Sequence, residues 1–164
     1  MTAGNSTPLT DGAALVLLSS QEWAARHRLP VQAYFVDAQT GAVDFVHGDP
    51  EPEGLLMAPV YAVPRLLDRL GLTLQDFDFY EIHEAFASQV LATLAAWEAN
   101  GQGTIDRSRL NVHGSSLAAG HPFAATGGRI VATAAKLLAQ KGSGRALISI
   151  CAAGGQGVVA VLER

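Results

Sequence analysis

The chain has 164 residues, 49% of them apolar and 16% charged, with a formal net charge of −4; that length suits one developed core, and the composition excludes a disordered or highly solvated segment. Eleven basic side chains in no block argue against nucleic acid as a partner, since backbone binding needs clustered Lys and Arg. No apolar run reaches the roughly 18 residues of a membrane span and the start is not signal-like, so a cytoplasmic location is the default expectation.

Residues 1–10, rich in Gly, Asn, Ser, Thr and Pro, have no period and read as a loop that needs support. Residues 13–18 (AALVLL) are apolar without alternation, the pattern of a strand covered on both faces. Ser19 or Ser20 then caps a short helix over 21–28, with Glu22 near its positive end. Residues 32–36 form the next predicted strand. The stretch 37–59, with its glycines, acidic residues and prolines, is mainly loop with a short extended piece at 42–46.

A helix is predicted over 60–70, ended by Gly71 and with Pro64 placed in its first turn. Residues 78–82 lead as a strand into His83 and Glu84. From Ala85 the spacing of Phe86, Val90, Leu94 and Trp97 changes to the helical period, and Gly101 and Gly103 close that helix. Residues 111–128 (NVHGSSLAAGHPFAATGG) are irregular and feed a helix with Ile130, Val131, Ala134, Leu137 and Leu138 on one face. A strand over 145–151, a GGQG turn at 154–157 and a last strand over 158–162 complete the order. The expected architecture is one α/β domain over 1–164, a mixed five-stranded sheet with helices on both faces.

Three positions combine reactive side chains with element ends. His121 lies between Gly120 and Pro122; proline keeps the preceding residue extended, and the glycines allow a ligand close to the backbone. A satisfied structural histidine is the alternative. Cys151, the single cysteine, ends an apolar strand beside a glycine-rich turn, so it is either a small buried hydrophobe or a thiol made useful by a nearby histidine or amides. His83 and Glu84 open a helix whose positive end favours a neutral imidazole. No compact ligand spacing joins His83, His113, His121 and Cys151, and HExxH is absent, so no metal is expected. Neither a Walker loop nor a well-placed GxGxxG occurs. His27 and His47 read as surface or structural residues.

Together, TAGNST at 2–7, DGAA at 11–14, HEAFA at 83–87, GHPFAATGGR at 120–129 and CAAGGQG at 151–157 resemble the C-terminal half of a thiolase. HEAFA with CAAGG is most similar to degradative 3-ketoacyl-CoA thiolases of the fatty-acid oxidation trifunctional complex. The resemblance implies an acyltransferase that cleaves 3-ketoacyl-CoA with coenzyme A as substrate and with no tightly bound cofactor. It implies that His121 activates a nucleophilic cysteine and helps stabilise the thioester enolate oxygen, that His83 positions the water sharing this oxyanion task, and that Cys151 is the acid/base thiol. Thr7 stands where the family contacts the pantetheine arm, Phe86 and Met57 are candidates to line its channel or that of the acyl chain, and Ala153 would supply an oxyanion amide. Two departures stand out: Ala153 where the family's CxGGG run has its first glycine, and His113 where asparagine is usual.

The resemblance also implies that the nucleophile-bearing half lies outside this chain, so the isolated 164 residues are expected to be inactive. Acyl-CoA, that missing half, a second copy in a homodimer or homotetramer, and a β-oxidation α subunit are the implied partners. Helices over 85–99 or 127–140 are candidates for the face the missing half covers. A non-catalytic lipid-carrier or CoA-binding relative is the alternative function.

Overall fold

The computed structural model describes residues 1–49 and 53–164; residues 50–52, part of the predicted 37–59 loop, lie outside the described residues. Among the described residues the sheet has four strands in the order β1-β4-β3-β2, with β1 Tyr34–Ala42, β2 Phe79–Ile82, β3 Arg145–Ala152 and β4 Gln156–Glu163. β2 runs parallel to β3, while β3–β4 and β1–β4 are antiparallel. Helices cover both faces, so the α/β expectation and the mixed sheet hold.

The strand count is a correction, four where five were expected. Residues 13–18 are not in the sheet: the segment has no ladder partner among the described residues, and Leu15 is 89% and Leu18 79% exposed. An apolar run becomes a strand only where another strand meets its backbone groups, and the sheet here ends with β1 on one side and β2 on the other. The predicted strands at 32–36 and 42–46 are likewise corrected to one. β1 continues through the polar residues Asp37, Gln39 and Thr40 because its backbone pairs with β4 throughout, apart from an irregularity between Phe35 and Asp37. As an edge strand it needs no unbroken apolar pattern.

α2 (Ala58–Leu70) starts earlier than predicted, and Pro59 occupies its first turn. Pro64 therefore lies in the helix interior rather than the first turn, where it removes one backbone donor. Val60, Val63, Leu66 and Leu67 recur at helical spacing and pack with Val90 and Trp97 of α3 (Ala87–Ala99) and with Tyr80, Ile82, Leu147, Val159 and Val161 of the sheet. Gly71, at φ 65°, stops α2 in the left-handed conformation. On the opposite face Ile130, Ala134 and Leu138 of α5 (Phe123–Lys141) pack on Ala146, Ile148 and Leu162. Two short helices, α1 (Gln21–Arg26) and α4 (Ser116–Ala119), lie outside this sandwich.

Candidate active site

β2 and β3 are parallel neighbours, with Ile82 opposite Ser149, so their C-terminal ends open on the same side of the sheet. His83 follows β2 directly and donates its backbone N–H to Ser149 O; Cys151 lies near the end of β3. The chain then leaves β2 through Glu84 and Ala85 before α3 begins. Asn111 fixes this exit: its side chain accepts from Ile82 N and donates to Ile82 O and to Glu84 Oε1. The other carboxylate oxygen of Glu84 accepts from Leu117 N. Asn111 holds φ 47°, a left-handed conformation that asparagine tolerates better than most residues.

The first ten residues join the two histidine segments. Ser6 bridges Phe86, Thr7 N–H donates to Ala85 O, and His121 N–H donates to Pro8 O. Gly120 has φ 88°, and a Cβ there would meet Thr10 at 2.5 Å, so this close approach requires glycine. Thr7 Oγ1 donates to Ser116 O over 2.7 Å, which leaves its lone pairs, but not its hydrogen, for a ligand.

These links bring the imidazoles of His83 and His121 together, with ring centroids 4.3 Å apart and planes inclined by 41°. His83 is 2% exposed, and its Nδ1 is 2.9 Å from Ser116 Oγ. Burial, then His121, then Arg129 lower its pKa to about 4. The imidazole is thus neutral, through burial, His121 and Arg129 rather than the expected helix end, since α3 begins only at Ala87. Burial and Arg129 also lower the pKa of His121. His121 Nδ1 is 2.6 Å from Thr126 Oγ1, whose hydroxyl donates to Pro122 O over 3.1 Å. Both contacts are hydrogen bonds only if His121 Nδ1 carries the proton, which leaves Nε2 with its lone pair.

Cys151 is buried, and burial raises its pKa to about 11 against the opposing effect of its own backbone amide. Among the described residues no side-chain hydrogen bond joins its sulfur to either imidazole. The thiol is therefore protonated at neutral pH and suited to giving a proton, rather than activated by a histidine. Ala153 opens the three-residue turn joining β3 to β4. The left-handed angles of that turn fall on Gly154 (φ 94°) and Gly155 (φ 71°) and not on Ala153, so alanine at 153 carries no backbone strain.

Phe86 precedes α3 and Met57 precedes α2, both partly buried; Met57 packs on the core beneath it. His113 is exposed and outside the cluster, and His27 stacks on Trp23 at the surface. Sequence reasoning missed Ser116, Thr126 and Arg129, which contact the imidazoles or their partners, and Glu81, a 1% exposed carboxyl on β2. Arg129 was in the GGR run, but nothing in its spacing reveals a partner thirteen residues away. Among the described residues, no three His, Cys, Asp or Glu side chains gather to hold a metal ion.

An α/β domain that collects two neutral imidazoles and a buried thiol at one end of its sheet defines a class of acid/base and hydrogen-bond-donating sites. The family model for the thiolase C-terminal domain matches residues 35–164. The 3-ketoacyl-CoA thiolases of Yersinia pestis (strain Pestoides F) and Yersinia pseudotuberculosis serotype O:1b (strain IP 31758) are each 42% identical over 99% of this chain and 38% of their own length. The Bacillus anthracis acetyl-CoA acetyltransferase superposes with a TM-score of 0.82 at 35% identity, covering 99% of this chain and 38% of that one. The dimeric peroxisomal thiolase of Saccharomyces cerevisiae gives 0.82 at 37% identity, covering 98% and 37%. The chain belongs to the thiolase C-terminal domain family, and it spans 38% of the length of those curated relatives.

Proposed function

We propose that this chain supplies the acid/base and oxyanion half of a thiolase site, in a protein that cleaves 3-ketoacyl-CoA with coenzyme A to acetyl-CoA and a shortened acyl-CoA. The observation that carries the reading is the meeting of His83 and His121 with centroids 4.3 Å apart, on a chain of this family that also retains a buried Cys151. A non-catalytic carrier has no need of all three groups.

In this reading the nucleophilic cysteine comes from outside these 164 residues. His121, through its Nε2 lone pair, takes the proton from that cysteine as it attacks the 3-keto carbon. His83 stabilises the oxygen of the departing thioester enolate, directly or by holding a water; each such donor is worth a few kcal/mol. Cys151 gives its proton to the enolate carbon, releasing acetyl-CoA and leaving the acyl group as a thioester on the nucleophile. It then takes the proton of the incoming CoA thiol, whose sulfur attacks that thioester to release the shortened acyl-CoA while His121 returns its proton to the nucleophilic cysteine. A thiol raised to about 11 matches the first of these tasks, since it arrives protonated. The Ala153 amide faces the second oxyanion, Thr7 accepts from the pantetheine arm, and Phe86 and Met57 line the channel of that arm or of the acyl chain. CoA acts as substrate, and no tightly bound cofactor is required.

The nucleophile-bearing half is also the proposed cover for residues 13–18 and for Phe123, which is 70% exposed beside His121. A homodimer or homotetramer, an accompanying β-oxidation α subunit and a cytoplasmic location complete the proposal. Among the described residues no helix is long and apolar enough to cross a membrane. The test is CoA-dependent loss of acetoacetyl-CoA, followed spectroscopically. The complete protein should cleave it and the isolated 164-residue chain should not; failure of the complete protein on acetoacetyl-CoA and longer 3-ketoacyl-CoAs alike would reject the reading.

A further inference from the structure

Ser116 lies between the two histidine segments, and its hydroxyl has two polar neighbours. It is fully buried at 0% exposure. His83 Nδ1 is 2.9 Å from its Oγ, and Arg129 Nη2 donates to the same oxygen over 3.0 Å. A serine hydroxyl has one hydrogen and two lone pairs, whereas a guanidinium has donors and no acceptor. Arg129 therefore occupies one acceptor position of Ser116 and cannot receive its hydrogen. Among the described residues, His83 Nδ1 is the remaining group within hydrogen-bond distance. Were Nδ1 protonated, the Ser116 hydrogen would stay buried without an acceptor, a state disfavoured by roughly tenfold or more.

We propose that Ser116, oriented by Arg129, is a positioning residue that holds His83 as the Nε2–H tautomer and makes that nitrogen a hydrogen-bond donor. His121 has the opposite arrangement, because Thr126 accepts from its Nδ1–H and leaves Nε2 unprotonated. Two rings 4.3 Å apart thus offer one donor and one base without either being charged. Burial keeps His83 neutral, so its tautomer rather than its charge sets what it can do. Its use in stabilising an enolate oxygen rests on the thiolase reading above; the tautomer does not.

Nitrogen-15 NMR of histidine-labelled complete protein at pH 7 reads the tautomer, with the His83 signals assigned by their loss in His83→Gln. The expected spectrum has a protonated Nε2 and a hydrogen-bonded, unprotonated Nδ1. In Ser116→Ala the tautomer ratio should shift by roughly tenfold toward Nδ1–H, while the His121 signals stay in place. A His83 carrying its proton on Nδ1 in the unmodified protein, or an unchanged ratio in Ser116→Ala, overturns the proposal. Should Ser116→Ala not fold, the unmodified spectrum still decides. Absence of thiolysis alongside an Nε2–H His83 would reject the functional reading and leave this assignment standing; thiolysis alongside Nδ1–H would do the reverse.

Discussion

Glu81 and His83 lie two residues apart, and burial moves their titrations in opposite directions: Glu81 is raised to about 7, with Arg129 opposing, and His83 is lowered to about 4. Between about pH 4 and the unfolded histidine value near 6.5, the unfolded state binds the His83 proton and the folded state does not. The His83 contribution to stability is therefore full above about 6.5 and is lost as pH falls toward 4. Glu81 has the opposite sign: the folded state keeps its proton up to about 7 while the unfolded state loses it near 4.5, so stability falls as pH rises through that window. Among the described residues neither Glu81 carboxyl oxygen has a hydrogen-bond partner. Glu81→Gln should accordingly gain stability relative to the unmodified protein between pH 5 and pH 8, by on the order of 2–3 kcal/mol, as read from denaturant unfolding at the two pH values. An equal difference at both would show that Glu81 does not titrate in this range. In the complete protein, replacing His121 by Ala should lower kcat by about 10²–10⁴-fold with the fold intact by circular dichroism. His83, His121 and Cys151 were legible in the sequence because glycine, proline or a change of period marks each of their element ends. Ser116, Thr126 and Glu81 were not, since their roles depend on contacts or burial that only the folded chain creates.

Among the elements, local pattern located β2, β3, β4, α2, α3 and α5 within a few residues, because each combines an apolar period with a stop signal such as Gly71 or Gly142. It failed at residues 13–18 and at β1 for one reason: membership of a sheet depends on a neighbouring backbone. The AALVLL run has strand character and no partner strand among the described residues, while the polar centre of β1 pairs with β4 along its length. Leu15→Lys with Leu18→Lys should then change the stability of the isolated chain by less than about 0.5 kcal/mol, while association with a separately expressed nucleophile-bearing half is lost. Unimpaired association, measured by calorimetry, would place that contact elsewhere. Trp97 is a contrast: it is fully buried between α2, α3 and the sheet, and Trp97→Ala should cost about 3–5 kcal/mol in denaturant unfolding. A cost below 1 kcal/mol would mean that this side of the sandwich is loosely packed.

At the scale of the whole molecule, the sandwich brings chain segments 2–10, 83–87, 111–129 and 151–155 to a shared sheet end, which explains why motifs so far apart in sequence carry the resemblance to thiolases. We propose that Cys151 exchanges protons with the carbon of a CoA thioester. Incubating the complete protein with acetyl-CoA in deuterium oxide, and following label in the acetyl group by mass spectrometry, isolates that step from acyl transfer. Deuterium should enter with the unmodified protein and fall by at least about 10²-fold with Cys151→Ala. Exchange that proceeds undiminished in Cys151→Ala would contradict the assignment of this thiol as the acid/base of the site.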